Sequence, residues 1–207
     1  MLENNVIIAG YSGHAYVVAD SAISAGFNLI GYTSKSESKI NPFNLKYCGN
    51  ERDSQFFDNF SAEFILGIGD NLLRAIVLEF LIDNNIKVLN VIDNSSVLSK
   101  QVELGIGIFI SKNVTINPLV SIGDGCIVNT SSVVEHECKI GNNSHIGPGA
   151  VLCGGVTIGN KSFVGANTVI KQGVNIGNNV IIGAGSVVIN DIRDNIKVVG
   201  NPHREIK

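Results

Sequence analysis

The chain of 207 residues contains no Trp, and only 6% of it is aromatic against 44% hydrophobic overall. A core organised around rings is therefore excluded, and Ile, Val and Leu must supply the buried surface. There is no run of Lys or Arg, and the formal net charge is −3, which argues against nucleic acid as the main partner. No stretch approaches the ~18 apolar residues of a membrane span, and no charged segment introduces an apolar one, so neither a transmembrane helix nor a signal peptide is expected. The four cysteines, Cys48, Cys126, Cys138 and Cys153, form no CxxC pair. They read as free thiols in a cytoplasmic protein with no disulfide framework.

What is present is a period. Every sixth residue from Leu104 to Val188 is aliphatic: Leu104, Ile110, Ile116, Ile122, Val128, Val134, Ile140, Ile146, Leu152, Ile158, Val164, Ile170, Ile176, Ile182 and Val188. The next position is often Gly (Gly105, Gly123, Gly141, Gly159), and the position two before each aliphatic is small or β-branched (Val114, Cys126, Ala150, Thr168). Six matches neither the helical 3.6 nor simple strand alternation. It predicts short strands separated by turns and stacked as a β-solenoid, with three hexads closing one triangular coil of 18 residues. Residues 18 apart should then lie about 4.8 Å apart along the axis.

Residues 1–95 follow another pattern. Val6–Ala9 predicts a buried strand, Gly10–His14 a tight turn, Ala15–Ala25 a helix stopped by Gly26, and Phe27–Thr33 a second strand. Residues 34–46 read as loop and Ser54–Phe60 as helix. Phe64–Ile68 predicts a third strand, Asp70 the N-cap of a helix over Leu72–Asn84, and Val88–Ile92 a fourth strand. Strand–helix alternation implies a small parallel sheet covered by helices, a Rossmann-like α/β domain. The Gly10–His14 turn lacks GxGxxG spacing and no acid ends the second strand, so a pyridine nucleotide is not expected there.

Polar chemistry interrupts the solenoid at Asn129–Cys138. Asn129 and Glu135 stand where Gly usually follows the aliphatic, and His136 lies between Glu135 and Glu137. His145 follows nine residues later, and Gly154 lies 18 beyond His136, so the two should stack on adjoining coils. A base, a carboxylate and a main-chain N–H in one place suit acyl transfer: imidazole accepts a proton near neutral pH, the carboxylate holds its tautomer, and the N–H stabilises an oxyanion. The same spacing also allows His136 to be an exposed residue between solvated glutamates. Zinc is not expected, because the solenoid offers only two His where a catalytic site normally takes three ligands.

The Asn129–Cys138 segment, together with His145-Ile146-Gly147-Pro148-Gly149-Ala150-Val151-Leu152-Cys153-Gly154-Gly155, resembles one subfamily of hexapeptide-repeat acyltransferases. These are the bacterial sialic acid O-acetyltransferase-like and nucleotide-amino-sugar N-acetyltransferase enzymes. The resemblance extends over nearly the whole chain, through Gly10-Tyr11-Ser12-Gly13-His14, Ile68-Gly69-Asp70-Asn71 and Val199-Gly200-Asn201-Pro202. It implies a Rossmann-like nucleotide-sugar-binding domain over 1–95. A left-handed parallel β-helix acetyltransferase domain with a C-terminal tail would cover 96–207.

It also implies a homotrimer with sites between neighbouring solenoids, acetyl-CoA as donor, no metal, and N-acetylation of a nucleotide-linked amino sugar, at its 4-amino group, for surface glycan biosynthesis. By the same resemblance, His136 is the general base and Glu137 its carboxylate partner. His145 lies near the thioester, and Gly154 offers its N–H to the thioester oxygen. Asn129 lies near the acceptor amine, while Gly13 and His14 contact the nucleotide sugar. Relatives acting on uridine-linked sugars commonly carry two adjacent Asp after the second strand; this chain has Ser34-Lys35 there, expected to be nucleotide-sugar-binding residues in their place, so the nucleotide is left open. Arg193 and His203-Arg204 also depart from the usual closing motif. O-acetylation of a sugar acid such as sialic acid, and a non-catalytic trimeric sugar-binding scaffold, are the competing expectations.

Overall fold

The computed structural model describes residues 5–50 and 62–206, so the helix expected over 54–60 lies outside the described residues. The N-terminal part is a four-stranded parallel sheet of β1 (Asn5–Ala9), β2 (Asn28–Thr33), β3 (Lys46–Tyr47) and β4 (Glu63–Leu66), in the order β3-β2-β1-β4. Two helices accompany it, α1 (Gly13–Ser24) and α2 (Asn71–Asp83). β3 falls partly in the segment expected to be loop; two residues are too few to show an alternating pattern. Asp70 caps α2 as expected, its carboxylate accepting from Leu73 N–H at 2.8 Å. Gly26, at φ +88°, follows α1 in the left-handed conformation that ends many helices.

The expected strand over Val88–Ile92 is divided in two. Val88 makes an isolated bridge to Phe64, whereas β5 (Val91–Ile92) pairs with Phe109–Ile110 and is the first rung of the solenoid. The aliphatic series in fact extends back from Leu104 through Leu98 to Ile92, six residues at a time. Asn90 makes the turn between the two parts: its side chain accepts from Ile108 N–H and donates to Gly105 carbonyl.

From β5 to Val187–Val188, two-residue parallel strands form three sheets with partners 18 residues apart (Ser121↔Lys139, Ile127↔His145, Val133↔Val151); the coil closes with Ile181↔Lys197, 16 apart, and the strand Lys197–Val199 then pairs antiparallel with Arg204–Ile206. In each pair the second residue points inward, and Ile110, Val128, Val134, Ile146, Leu152, Val164, Ile170, Ile182 and Val188 are all 0% exposed. The corners repeat too. Every sixth residue from Gly107 to Gly185 has φ between +54° and +74°, including Leu119, Ser131, Glu137 and Lys161. A column of side chains braces one corner, each accepting from the N–H of the rung before it: Asp124 from Ile106, Asn142 from Asp124, Asn160 from Asn142, Asn178 from Asn160 and Asp194 from Asn178. These bonds satisfy corner amides that the two-residue strands leave over.

The three outer faces differ in chemistry. The first presents Val91, Phe109, Ile127, His145, Phe163 and Ile181; its lower rungs are buried against the N-terminal domain, where Val91, Phe109 and Ile127 share a core with Val6, Ile8, Ala15 and Val18. The second presents Val97, Thr115, Val133, Val151, Val169 and Val187, and the third Glu103, Ser121, Lys139, Thr157 and Asn175. Polar bonds join the two domains beside the apolar seam: Ser21 Oγ donates to Asp93 at 2.6 Å, Asn94 donates to Ser24 carbonyl, and Lys112 pairs with Asp20.

Replacing inward Ile146 by Ala is expected to lower stability by about 2–5 kcal/mol, since neighbouring rungs prevent the cavity from closing. Ile40→Ala, at a residue 65% exposed, should stay within about 0.5 kcal/mol. Urea midpoints of the two variants check this; equal effects would remove the rungs as the source of stability.

Candidate functional site

The corner that follows the second face carries His136, directly after Val133–Val134. Its Nδ1 lies 3.0 Å from Glu137 Oε2. Glu137 has φ +62°, a conformation that costs a non-Gly residue on the order of 1 kcal/mol and that folds its carboxylate back toward the preceding ring. Glu135 is held separately, accepting from Asn117 Nδ2 at 2.9 Å. The carboxylate at Nδ1 selects the tautomer with hydrogen on that nitrogen and leaves Nε2 as the proton acceptor.

Gly154 lies one rung away, under the imidazole. A Cβ built on it would lie 2.5 Å from both Cε1 and Nε2 of His136, so only glycine lets the ring approach this closely. Gly155 N–H donates to His136 carbonyl at 2.8 Å, joining the two rungs. The N–H of Gly154 donates to no acceptor among the described residues. A half-exposed base with a free Nε2 thus stands beside an undirected main-chain donor. Such an arrangement can remove a proton from a nucleophile and stabilise the oxyanion formed when that nucleophile adds to a carbonyl.

Asn129 and His145 belong to the other edge of the second face, where it meets the first. Asn129 Oδ1 accepts from Thr130 N–H at 2.8 Å, which turns its Nδ2 toward His145 Nε2 at 3.1 Å. His145 is 8% exposed, edge-on to Phe163, with its ring centroid 6.1 Å from that of His14 on α1. Burial pushes the His145 pKa down to about 3, helped by the charges of Arg74 and His14, and pushes His14 down to about 4, helped by Arg74. Both rings are neutral at pH 7.

A cavity of about 620 Å³ opens at the carboxyl ends of β1, β2 and β4, the usual ligand position of an open parallel sheet. Gly10, Tyr11 and Ser12 line it ahead of α1, Ser34 and Lys35 after β2, and Gly67, Ile68, Gly69, Asp70 and Leu73 around the start of α2, with Asn50. Ser34 and Lys35 therefore face the cavity, whereas Gly13 and His14 are not among its lining residues; Gly13 opens α1 and His14 is partly buried behind. Within one chain, His136, Glu137 and Gly154 form one group, and Asn129, His145 and His14 another, across the width of a solenoid face.

Sequence reasoning missed Arg74, the largest fully buried side chain. A signal was available: Arg74, Val77, Leu78 and Leu81 make the inward stripe of α2 at helical spacing, so a guanidinium sits where an aliphatic is expected. No group of three metal-ligating side chains occurs among the described residues, and no described helix is long and apolar enough to cross a membrane.

Residues 5–81 match the PglD N-terminal domain, and residues 119–154 and 155–190 match the bacterial transferase hexapeptide repeat. A histidine variant of perosamine N-acetyltransferase from Caulobacter crescentus, solved with CoA and GDP-perosamine, is 31% identical with a TM-score of 0.92, over 98% of this chain and 97% of that one. The acetyltransferase domain of PglB from Neisseria gonorrhoeae, solved with acetyl coenzyme A, is 26% identical with a TM-score of 0.92, over 99% and 100% of the two chains. WeeI from Acinetobacter baumannii, at 22% identity and a TM-score of 0.84, shares the fold. No curated protein sequence matches the chain.

The two buried histidines predict a pH response. Their folded pKa values, about 4 and about 3, lie below the ordinary 6.5, so the unfolded chain takes up these protons first as pH falls. Stability from this source is complete above pH 6.5. Below it, stability is lost at up to about 1.4 kcal/mol per pH unit for each ring. Urea midpoints at pH 7, 6 and 5, with NMR of the two ring Cε1–H signals, test this; titration of either ring near pH 6.5 in the folded protein would contradict it.

Proposed function

We propose, for a chain that belongs to the hexapeptide-repeat nucleotide-amino-sugar N-acetyltransferases with a PglD-type N-terminal domain, that it transfers the acetyl group of acetyl-CoA to the amine of a nucleotide-linked amino sugar. The observation that carries this reading is the imidazole of His136 lying against Gly154, whose N–H is undirected. The amine nitrogen attacks the thioester carbonyl carbon, and Gly154 N–H donates to the oxyanion that forms. His136 Nε2 takes the proton lost by nitrogen, while Glu137 at Nδ1 stabilises the resulting imidazolium. Collapse breaks the carbon–sulfur bond; the coenzyme leaves as thiolate and gains a proton, and the sugar becomes an amide. No acyl-enzyme is required.

The cavity at the sheet edge suits a nucleoside diphosphate. The N-termini of α1 and α2 both open onto it, and Lys35 adds a positive charge. We assign residues 1–95 to nucleotide-sugar binding and 96–207 to acetyl transfer, and expect the chain to act in the cytoplasm, where acetyl-CoA is available, in surface glycan synthesis. The Caulobacter enzyme's complex with GDP-perosamine supports an amino-sugar acceptor and makes GDP a first candidate for the nucleotide, in keeping with Ser34-Lys35 where uridine-specific relatives carry two acids.

A homotrimer follows from the same reading. The second face is a column of five valines and one threonine, with Val97 65% and Val169 39% exposed, while the third face is polar. His136 stands at one edge of this apolar column and Asn129 at the other. Three copies meeting along these columns would bring His136 and Gly154 of one copy to Asn129, His145 and the cavity of the next.

His136→Ala should leave fold and assembly intact and lower turnover by about 10²–10⁴, read as coenzyme A release with GDP-, UDP- and dTDP-linked 4-amino sugars beside free sialic acid. Activity on sialic acid alone would replace the amine acceptor by a hydroxyl; full activity of the variant would remove His136 from the mechanism. Val151→Asp buries a charge in the apolar column and should abolish assembly and activity together, measured by light scattering and the same assay. An active monomer would overturn the shared site.

A further inference from the structure

We propose that Arg74 is a positioning residue for the transfer, holding the nucleotide cavity in register with the Asn129 edge of the solenoid. The inference rests on the acetyl-transfer reading given above. Arg74 is 1% exposed and makes no ion pair with a carboxylate among the described residues. Its five N–H groups meet five oxygens instead. Nη1 donates to the carbonyls of Ile68 at 3.1 Å and Gly69 at 3.0 Å, both in the cavity wall. Nε donates to Gly125 carbonyl at 2.5 Å, and Nη2 to Asn143 carbonyl and Asn71 Oδ1, each at 2.8 Å.

The solenoid partners form a column. Gly125 and Asn143 lie on successive rungs, and Asn71, held by Arg74, donates from Nδ2 to Lys161 carbonyl at 3.1 Å and Ser162 carbonyl at 3.2 Å on the next. One guanidinium and one amide thus tie the cavity wall to three rungs at a single corner. The strands that leave this corner begin at Ile127, His145 and Phe163, and His145 bonds Asn129. A planar fork with five fixed donors holds such a joint in one geometry; an ammonium with three rotatable donors does not.

The charge has a second effect. The Asn129 amide is oriented by Thr130 so that its N–H meets His145 Nε2, a contact that needs an unprotonated nitrogen there. Arg74, beside His145, opposes protonation of that ring, as burial does. The acceptor-side amide is therefore held by a neutral imidazole that the same guanidinium helps to keep neutral. A carboxylate partner for Arg74 would have cancelled this field.

The test uses full-length Arg74→Met, Arg74→Lys and Asn71→Ala. Arg74→Met should lower kcat/KM for the nucleotide sugar about 10–100-fold, because displacements near 1 Å cost that much, with KM for acetyl-CoA within about twofold of wild type. Arg74→Lys should fall between. Asn71→Ala, which removes one side chain from the joint, should lose about 3–10-fold in the same pattern. If Arg74→Met fails to fold, Asn71→Ala decides. Folded variants with unchanged constants, or with KM for both substrates raised alike, overturn the proposal. Calorimetric binding of GDP and UDP without acetyl donor separates the two readings: a wild type that binds nucleotide but is inactive on every sugar nucleotide refutes acetyl transfer, whereas an active wild type with undiminished kcat/KM in folded Arg74→Met and Asn71→Ala refutes the positioning role.

Discussion

Stacking of each residue on the one eighteen places later is the constraint on which the molecule depends. Inward aliphatics fill the prism, a left-handed turn residue recurs every six positions from Gly107 to Gly185, and the 18-residue register holds from Val91 to Val188, shortening to 16 only at the closing pairs Ile176↔Ile192 and Ile181↔Lys197. A slip of one residue would turn Ile146 and Leu152 outward and bring His145 and Val151 into the core. His136 needs no hydrogen-bond network of its own to meet Gly154, because the register delivers it there. Its one side-chain partner is its sequence neighbour Glu137. The reactive corner is thus rigid because the core is rigid, while the imidazole itself stays exposed and able to exchange a proton.

This origin explains what could be read in the sequence. The hexad series is strict enough to give the solenoid and its rungs, and with them the pairing of His136 with Gly154, from spacing alone. Asp70 as a cap and Gly26 as a helix stop followed from local chemistry. Three features escaped. Residues 88–92 look like one apolar strand, and only Ile92 and Leu98, at six-residue spacing ahead of Leu104, show where the solenoid takes over. β3 is too short to carry a pattern. Arg74 was missed because its partners are main-chain carbonyls on remote rungs, and a carbonyl has no sequence signature. A cation within an apolar helical stripe was the available sign, since a buried guanidinium must have all its donors met.

The faces of the prism divide the work. The first is covered by the chain's own N-terminal domain, the second is a valine column, and the third is polar. Putting the base at one edge of the valine column and the Asn129 group at the other makes neither edge a complete site. On the proposed reading, a groove shared between copies would solve a packing problem as well as a chemical one: a second copy laid along the apolar column would cover it and complete the chemistry.

Electrostatics separates the histidines that the sequence alone would have grouped together. His136 is half-exposed, with Glu137 Oε2 3.0 Å from its Nδ1. His14 on α1 and His145 on the solenoid meet where the two domains join, near Arg74, and gaining a proton there is opposed by burial and by Arg74. Burial is the larger cause for both rings, and a single cation on the inward stripe of α2 adds to it. Moving it to the exposed face of the helix would leave the core easier to build, but the cavity wall, the corner column and the Asn129 amide would then have no common anchor.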